Sequence, residues 1–185
     1  MALRLNGSTS GYVELNAPAV AGSQSITVPY GILQVKQTYK TDVFSTSSTG
    51  TTDITGLSVS ITPSSSSNKI LVMAFVGGFS HNGSGAAPVI IRGSTSIGQA
   101  TGASNRMASS FSGDLYTGDG SGTGQMQFNS VACYLDSPST TSATTYKIAV
   151  QNSGNQIYIN RGEADGDNND ENRGVSHITV MEVVA

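Results

Sequence analysis

Hydrophobic and polar residues alternate in short segments along most of the chain, which is the pattern of β-strands with one buried face. In GLSVSIT, residues 56–62, the apolar residues Leu57, Val59 and Ile61 fall on one side, and Ser and Thr on the other. The same period of two recurs in TTYKIAVQ, residues 144–151. Gly, Pro or Ser/Thr clusters interrupt every window long enough for an amphipathic helix. The pattern therefore predicts an all-β protein.

The run KILVMAFVGG departs from this alternation because it is apolar from Ile70 to Val76. Such a run predicts a central strand that is covered on both faces. Turn residues separate the strand signals by roughly 8–14 residues, as in sandwiches and barrels. We therefore expect residues 31–185 to form a jelly-roll-like antiparallel β-sandwich. Further strands are predicted at residues 33–39, 87–92, 106–111, 125–135, 156–161 and 177–184.

Residues 1–30 stand apart as an N-terminal arm, because Gly and Pro divide their apolar residues into short pieces. LRLNGSTSGYVEL predicts a small hairpin that turns at Asn6 and Gly7. A lone hairpin is marginally stable in water. We therefore expect the arm to intertwine with copies of itself and to bury its apolar side chains there. The predicted oligomer-interface residues are Leu5, Val13, Leu15, Ile26 and Val28.

Charge is scarce in this chain. Charged residues make up 11% of it, against about 25% in a typical domain. The net charge of −3 and the 37% of apolar residues indicate a folded protein, since disordered chains combine low hydrophobicity with high net charge. The nine Lys and Arg residues are scattered, which argues against nucleic acid as a partner.

Signals for membrane insertion and secretion are missing from the sequence. It has no run of about 18 apolar residues, and its first residues, MALRLNGSTSG, lack the apolar core of a signal peptide. Cys133 is the single cysteine, so an intrachain disulfide is excluded. We expect no membrane partner and a fold that is stabilised by something other than disulfides.

The segment LNGSTSGYVELNAPAVAGSQSITVP resembles the stalk or anchor module of virion fibre proteins of tailed bacteriophages. The rest of the chain resembles their C-terminal head domain. The segments that carry this likeness are ILQVKQTYKTDVFSTSSTGTTDITGLSVSITPSSSSNKILV, IRGSTSIGQ, YLDSPSTTSATTYKIAVQ, YINRGEADGDN and SHITVMEVVA. The resemblance implies an all-β lobe that assembles as a homotrimer and is exposed on the virion, after synthesis in the host cytoplasm. Its N-terminal arm would bind another virion protein of the tail or capsid.

Three functions follow from the resemblance. The first is host-surface adhesion, in which the loops at residues 78–87, 112–124 and 163–174 contact cell-surface glycans. The second is capsid decoration, in which the protein stabilises the head without binding a receptor. The third, a polysaccharide-degrading tail enzyme, is the least favoured. Fibres of this family carry many stalk modules and this chain carries one, which leaves the tail and the capsid open as locations.

Two groups of residues are candidates for binding. The acidic loop EADGDNNDEN places Asp165, Asp167 and Asp170 close together, and carboxylate oxygens are ligands that Ca²⁺ prefers. A solvated turn without a cation is the alternative. Phe79 and Tyr116 lie at the edges of Gly-rich loops, where an aromatic ring can stack on a sugar of the receptor. For both aromatics the alternative is packing in the core or anchoring of the loop.

No residue stands out as catalytic. His81 and His177 have no neighbouring Ser or Cys in a nucleophile motif. Asp114, Asp119 and Asp136 show no spacing that selects two of them as an acid–base pair. We therefore expect a structural protein rather than an enzyme, with no cofactor other than the candidate Ca²⁺.

Overall fold

The computed structural model of the protein describes residues 3–6, 12–15, 31–81, 85–102, 104–111, 127–169 and 171–185. Within these residues the protein is all-β, with antiparallel pairing throughout and no helix. The strands are β1 (Leu3–Asn6), β2 (Tyr12–Leu15), β3 (Ile32–Lys40), β4 (Phe44–Thr46), β5 (Gly50–Ile61), β6 (Lys69–His81), β7 (Ala86–Arg92), β8 (Thr95–Ile97), β9 (Phe128–Asp136), β10 (Thr144–Asn152), β11 (Ile157–Ile159) and β12 (Ser176–Val183). The part of the chain that is described contains no helix that could span a membrane.

Strands β1 and β2 form the hairpin that the sequence predicts. Leu5 lies opposite Val13, and Asn6 lies opposite Tyr12. Because Asn6 itself pairs with Tyr12, this register is incompatible with a two-residue turn at Asn6 and Gly7; residues 7–11 lie outside the described residues. Of the other predicted interface positions, Leu15 pairs with Leu3 in this hairpin, whereas Ile26 and Val28 lie outside the described residues. The intertwining of the arm stays a prediction.

Two sheets make up the lobe. The first has the strand order β5-β10-β7-β8. The second has the order β3-β12-β6, with β9 on the other edge of β6. Strand β11 pairs with β4 and with the C-terminal end of β6. The short strands β4 and β11 therefore continue the second sheet beyond the ends of β3 and β12. When β4 is counted with β3 and β11 with β12, successive strands of the lobe cross between the sheets, apart from β7 and β8, and this connectivity is that of a jelly roll.

The core lies between the two sheets and follows the period of two. Leu57, Val59 and Ile61 are buried on one side of β5, as their alternation predicts. Tyr146 and Ile148 of β10 are fully buried beside them. Burial of each such side chain stabilises the fold by about 1.5–3 kcal/mol.

Glu182 connects the end of β12 to two neighbouring segments. The side chain is fully buried, and its carboxylate accepts hydrogen bonds from Asn68 Nδ2 at 2.7 Å and Gln34 Nε2 at 2.6 Å. Ser64 donates from its main-chain N and its Oγ, each at 2.7 Å. Burial by itself raises the pKa of the Glu182 carboxyl, but these hydrogen bonds outweigh burial and lower that pKa to about 2.

Asp136 joins the two sheets at the opposite edge of the second sheet. Tyr146 Oη donates to Asp136 Oδ2 at 2.6 Å, and Arg92 Nη1 lies 2.8 and 2.9 Å from the two carboxylate oxygens. Burial, and then the hydrogen bond to Asp136, raise the pKa of the Tyr146 hydroxyl above its ordinary value. Both polar partners of this carboxylate come from the first sheet, so the contact is a cross-link between layers.

The prediction of a strand at residues 106–111 is wrong. This segment has no strand, because serine hydroxyls rather than a main-chain ladder attach it to the first sheet. Ser109 Oγ donates to the carbonyl of Pro88 at 2.6 Å. Ser110 Oγ donates to the carbonyl of Ile97 and accepts from the N–H of Ile90. Strands β4 and β8, of three residues each, were not predicted.

The prediction that the apolar run of β6 is covered on both faces is confirmed for the inner face and stays a prediction for the outer face, which the described residues leave partly exposed. Ile70, Val72 and Val76 are fully buried between the sheets. On the other side of the strand Met73 is 41% exposed, and Phe75 is half-buried. The run is apolar throughout because the outer side of this sheet is itself apolar, and within the described residues that side is open.

Replacement of Glu182 by Gln is expected to lower the free energy of unfolding by about 1–3 kcal/mol at neutral pH, because the amide turns a donor toward other donors. The carboxylate contributes its full stabilisation above its ordinary pKa of 4.5 and loses it as the pH falls toward 2. The difference between wild type and Glu182→Gln should therefore shrink over that interval. Urea denaturation at a series of pH values measures it.

Glu171→Gln is the matched control, since Glu171 lies in the acidic loop and is not fully buried. We expect it to leave stability almost unchanged. A Glu182→Gln variant as stable as wild type at neutral pH would contradict the structural role of this carboxylate.

Candidate functional site

The structure places Phe79 in the core, where it is fully buried. The hypothesis that its ring stacks on a sugar at the surface is therefore wrong. A β-bulge between Val76 and Phe79 shifts the register of β6, so both side chains point inward. The first residues of the loop predicted at 78–87 belong to this strand. Tyr116 and the loop at 112–124 lie outside the described residues.

The acidic loop leaves the second sheet where β11 ends and returns where β12 begins. A β-bridge between Arg161 and Arg173 closes its base. Asp165 lies 3.3 Å from Arg161 Nη1 and 2.9 Å from Arg173 Nη2. Its carboxylate is therefore engaged by two guanidinium groups. Asp167 is exposed, and Asp170 lies outside the described residues.

Metal-ligand geometry does not assemble in the part of the chain that the structure describes. No three side chains of His, Cys, Asp or Glu converge there. Of the three predicted calcium ligands, Asp165 and Asp167 belong to this part, and the structure brings Asp165 to arginines rather than to other carboxylates.

Asn160 is the buried residue that holds the base of the loop. Its backbone has a φ of 63°, in the left-handed region that Asn tolerates better than most residues. Its Nδ2 donates to the carbonyls of Lys40 and Asp42 at 3.0 and 2.9 Å, and its Oδ1 accepts from Ser176 Oγ at 2.7 Å. The sequence pattern did not indicate this residue, because INRG is typical of an ordinary strand end.

A groove of about 380 Å³ lies beside the acidic loop, on the outer side of the second sheet. Gly77 and Gly78 of the β-bulge line the groove, and no side chain fills it at these two positions. Its polar walls come from the acidic loop and from the beginning of β9. The side chains that line it are Phe75, Gln127, Asn129, Asn172, Arg173 and Val175.

Both glycines are required by close backbone contacts. A Cβ on Gly77 would lie 2.2 Å from the carbonyl oxygen of Val175. Gly78 has a φ of +56°, and a Cβ there would lie 2.9 Å from the main-chain N of Arg161. The pair GG inside an otherwise apolar strand is the sequence signal for such an approach.

The groove offers hydrogen-bonding groups of both kinds. Asn129 is exposed, and its Oδ1 accepts weakly from the N–H of Gly78 at 3.4 Å. Gln127 Nε2 donates to the carbonyl of Asn172 at 3.3 Å. Amides donate and accept as hydroxyl groups do, and the Arg173 guanidinium adds donors. With the half-buried ring of Phe75 beside them, these groups suit a ligand rich in hydroxyls.

Sequence analysis predicted the loop side of this groove and missed the other side. The interval 163–174 includes Asn172 and Arg173. Gln127 and Asn129 were assigned to a strand, and their outward alternation in QMQFNS was the available signal. No protein-family model matches the chain, and no curated protein matches it.

Gly77→Ala is expected to lower the free energy of unfolding by at least about 2 kcal/mol, because the added methyl group meets a main-chain oxygen that has little freedom to move. Gly102→Ala is the control, since a Cβ at Gly102 meets nothing within 4 Å. Urea denaturation of both variants measures the difference. Equal stability would show that the backbone around Val175 adjusts freely.

Calcium is expected to have no effect on the protein, because it would have to displace two arginines from Asp165. Titration calorimetry with millimolar CaCl₂ should show no binding heat, and Tm should not change. MgCl₂ at equal ionic strength controls for general salt effects. A rise in Tm with Ca²⁺ alone would establish the cation site that the acidic loop predicts.

Proposed function

We propose that the protein is a structural appendage of a tailed-bacteriophage virion, a homotrimer that contributes to adhesion to the host surface. The resemblance of the chain to virion fibre proteins supports the virion role. The exposed location, the trimer and the attachment of the arm to another virion protein all follow from that resemblance. The groove beside the acidic loop is the surface that we assign to host glycans.

The observation that carries this proposal is the jelly-roll order of the strands. Jelly rolls form viral coat domains and lectins, among other proteins. Because one fold serves many functions, the fold alone is an analogy. The groove adds chemistry to it, since Asn129, Asn172 and Arg173 present amide and guanidinium groups at one edge of the lobe.

Weak binding at each groove is sufficient for adhesion. The groove is open and the chain carries few charges, so one site would bind a neutral glycan with low affinity. Several copies on one particle raise the overall affinity by a factor of about 10²–10⁴ when they engage one surface together. A polar, weakly charged lobe suits this mode of attachment.

Capsid decoration is the second candidate function. It also follows from the resemblance to virion appendages, and it needs no receptor-binding groove. A polysaccharide-degrading tail enzyme is the third. Asp136, one of the carboxylates considered for catalysis, is held by Arg92 and Tyr146 between the sheets.

Binding of the purified protein to an array of bacterial surface polysaccharides tests adhesion. We expect binding that Asn129→Ala and Arg173→Ala each reduce severalfold. Asn105→Ala is the matched control, because this exposed amide lines a different depression. Absence of binding to every glycan, or equal loss with Asn105→Ala, would contradict adhesion through this groove.

The number of copies per particle separates adhesion from decoration. Quantitative gel analysis of purified virions should give a small number for a tail appendage. Tens to hundreds of copies, together with a loss of thermal resistance of the capsid when the protein is removed, would favour decoration instead.

A further inference from the structure

The outer side of the second sheet carries mainly apolar side chains, and we call it the apolar face; Gln37, Thr179 and His177 are its polar members. It consists of three rows that cross β3, β12, β6 and β9 in register. The first row is Tyr39, His177, Phe75 and Val131; the second is Gln37, Thr179, Met73 and Cys133; the third is Val35, Met181, Leu71 and Leu135.

Much of the apolar face is accessible to solvent in the single chain. Val131 is 64% exposed, Tyr39 57%, Val35 53% and Leu135 52%. Met73, at 41%, is the fifth large apolar side chain exposed on this face. Exposed apolar side chains that are clustered on one face, rather than scattered singly, generally mark a contact surface.

The polarity of β3 is the reverse of what a strand of an isolated lobe requires. Its inward side carries Gln34, Thr38 and the buried Lys40, whose Nζ lies 2.7 Å from Asp42 Oδ2. Its outward side carries the exposed Val35 and Tyr39. A shift of the pairing register by one residue would exchange the inward and outward side chains of β3. The observed register instead places the apolar ones outward. The strand places its apolar residues where only another surface can cover them.

The centre of the first row is already ordered. The ring of His177 stacks on Tyr39 at 5.4 Å and on Phe75 at 5.5 Å between centroids. Its Nδ1 is buried without a hydrogen-bond partner among the described residues. Three stacked rings form a rigid, flat surface whose side chains lose little conformational freedom when a second surface covers them.

The apolar face contains no Asp, Glu, Lys or Arg in its three rows. A face with one sign of charge would repel its own copy, and a mixed face would need a partner with matched charges. A charge-free face meets neither obstacle, so it is compatible with a symmetric contact. Its five exposed large apolar side chains would supply the apolar centre of an interface, which in a standard complex covers roughly 800 Å² on each partner.

We propose that the apolar face is the surface through which copies of this chain pack against one another. This inference does not depend on adhesion, although it shares the homo-oligomer with the proposed function, and it assigns assembly to the lobe as well as to the arm. Phe75 belongs to the apolar face and also lines the groove. Each groove therefore opens at the edge of a subunit contact in the assembled protein.

Sedimentation velocity of the full-length protein at micromolar concentration tests the proposal. We expect the wild type to sediment as an oligomer and Val131→Asp as a monomer, with a dissociation constant raised at least about a hundredfold, because burial of an unpaired carboxylate is unfavourable. Val131 is largely exposed, so the variant should fold. Ser58→Asp, at an exposed position of β5 in the other sheet, is the matched control and should remain oligomeric.

Cys133 gives an independent measurement. It is the single cysteine of the chain and lies exposed in the second row of the apolar face. A maleimide should label it slowly in the oligomer and rapidly in Val131→Asp, under conditions in which both proteins show the same circular dichroism.

Three results would overturn the proposal. A monomeric wild type with a protected Cys133 would mean that the chain covers the face with its own residues. A monomeric wild type with a reactive Cys133 would mean that the face is left for a different protein. An oligomer that Val131→Asp does not weaken would place the contact elsewhere, in the arm for example. None of these measurements involves a glycan or a virion, so they are separate from the test of adhesion.

Discussion

Pairing of β6 along both of its edges is the interaction on which the rest of the structure depends. This strand joins β12 and β11 on one edge and β9 on the other. Its two glycines allow the chain near Val175 to approach within a distance that any side chain would block. The same bulge turns Phe79 into the core and leaves the groove above it. The inward position of Phe79, the close approach of the chain near Val175 and the groove thus all depend on the bulge at Gly77 and Gly78.

Buried polar residues connect the layers at the margins of the apolar core. Glu182 joins β12 to β3 and to the turn before β6, and Asp136 joins β9 to the first sheet. Glu182 accepts four hydrogen bonds, and Asp136 is paired with a guanidinium and a hydroxyl; such partners are the condition under which a buried charge stabilises a fold. With no intrachain disulfide available to its single cysteine, the lobe relies on such contacts and on sheet packing.

The groove and the apolar face lie on one side of the second sheet and share Phe75. Assembly through the face would bring grooves of different subunits to neighbouring positions. A set of weak glycan sites held in fixed relation by subunit contacts is the arrangement in which multivalent binding is effective. The outer side of the first sheet differs from this face, because its residues Val89, Ile91 and Ala149 are already buried within the single chain.

The fold class and the inward residues of β5 and β10 were predictable from the sequence, because alternation with a period of two decides which side chains lie inside. The regular spacing of short strands by turn residues indicated the sandwich. Hydrophobicity alone could not place Phe79 inside or Tyr39 outside. A bulge changes the phase of one strand, and an apolar residue looks the same whether it faces its own core or another subunit. Likewise, the string of acidic residues predicted a cation site, whereas the pairing of Asp165 with two arginines depends on where the loop returns to the sheet. The local sequence pattern determined where the strands form. The long-range register decided which face of each strand is buried and which charged side chains come together.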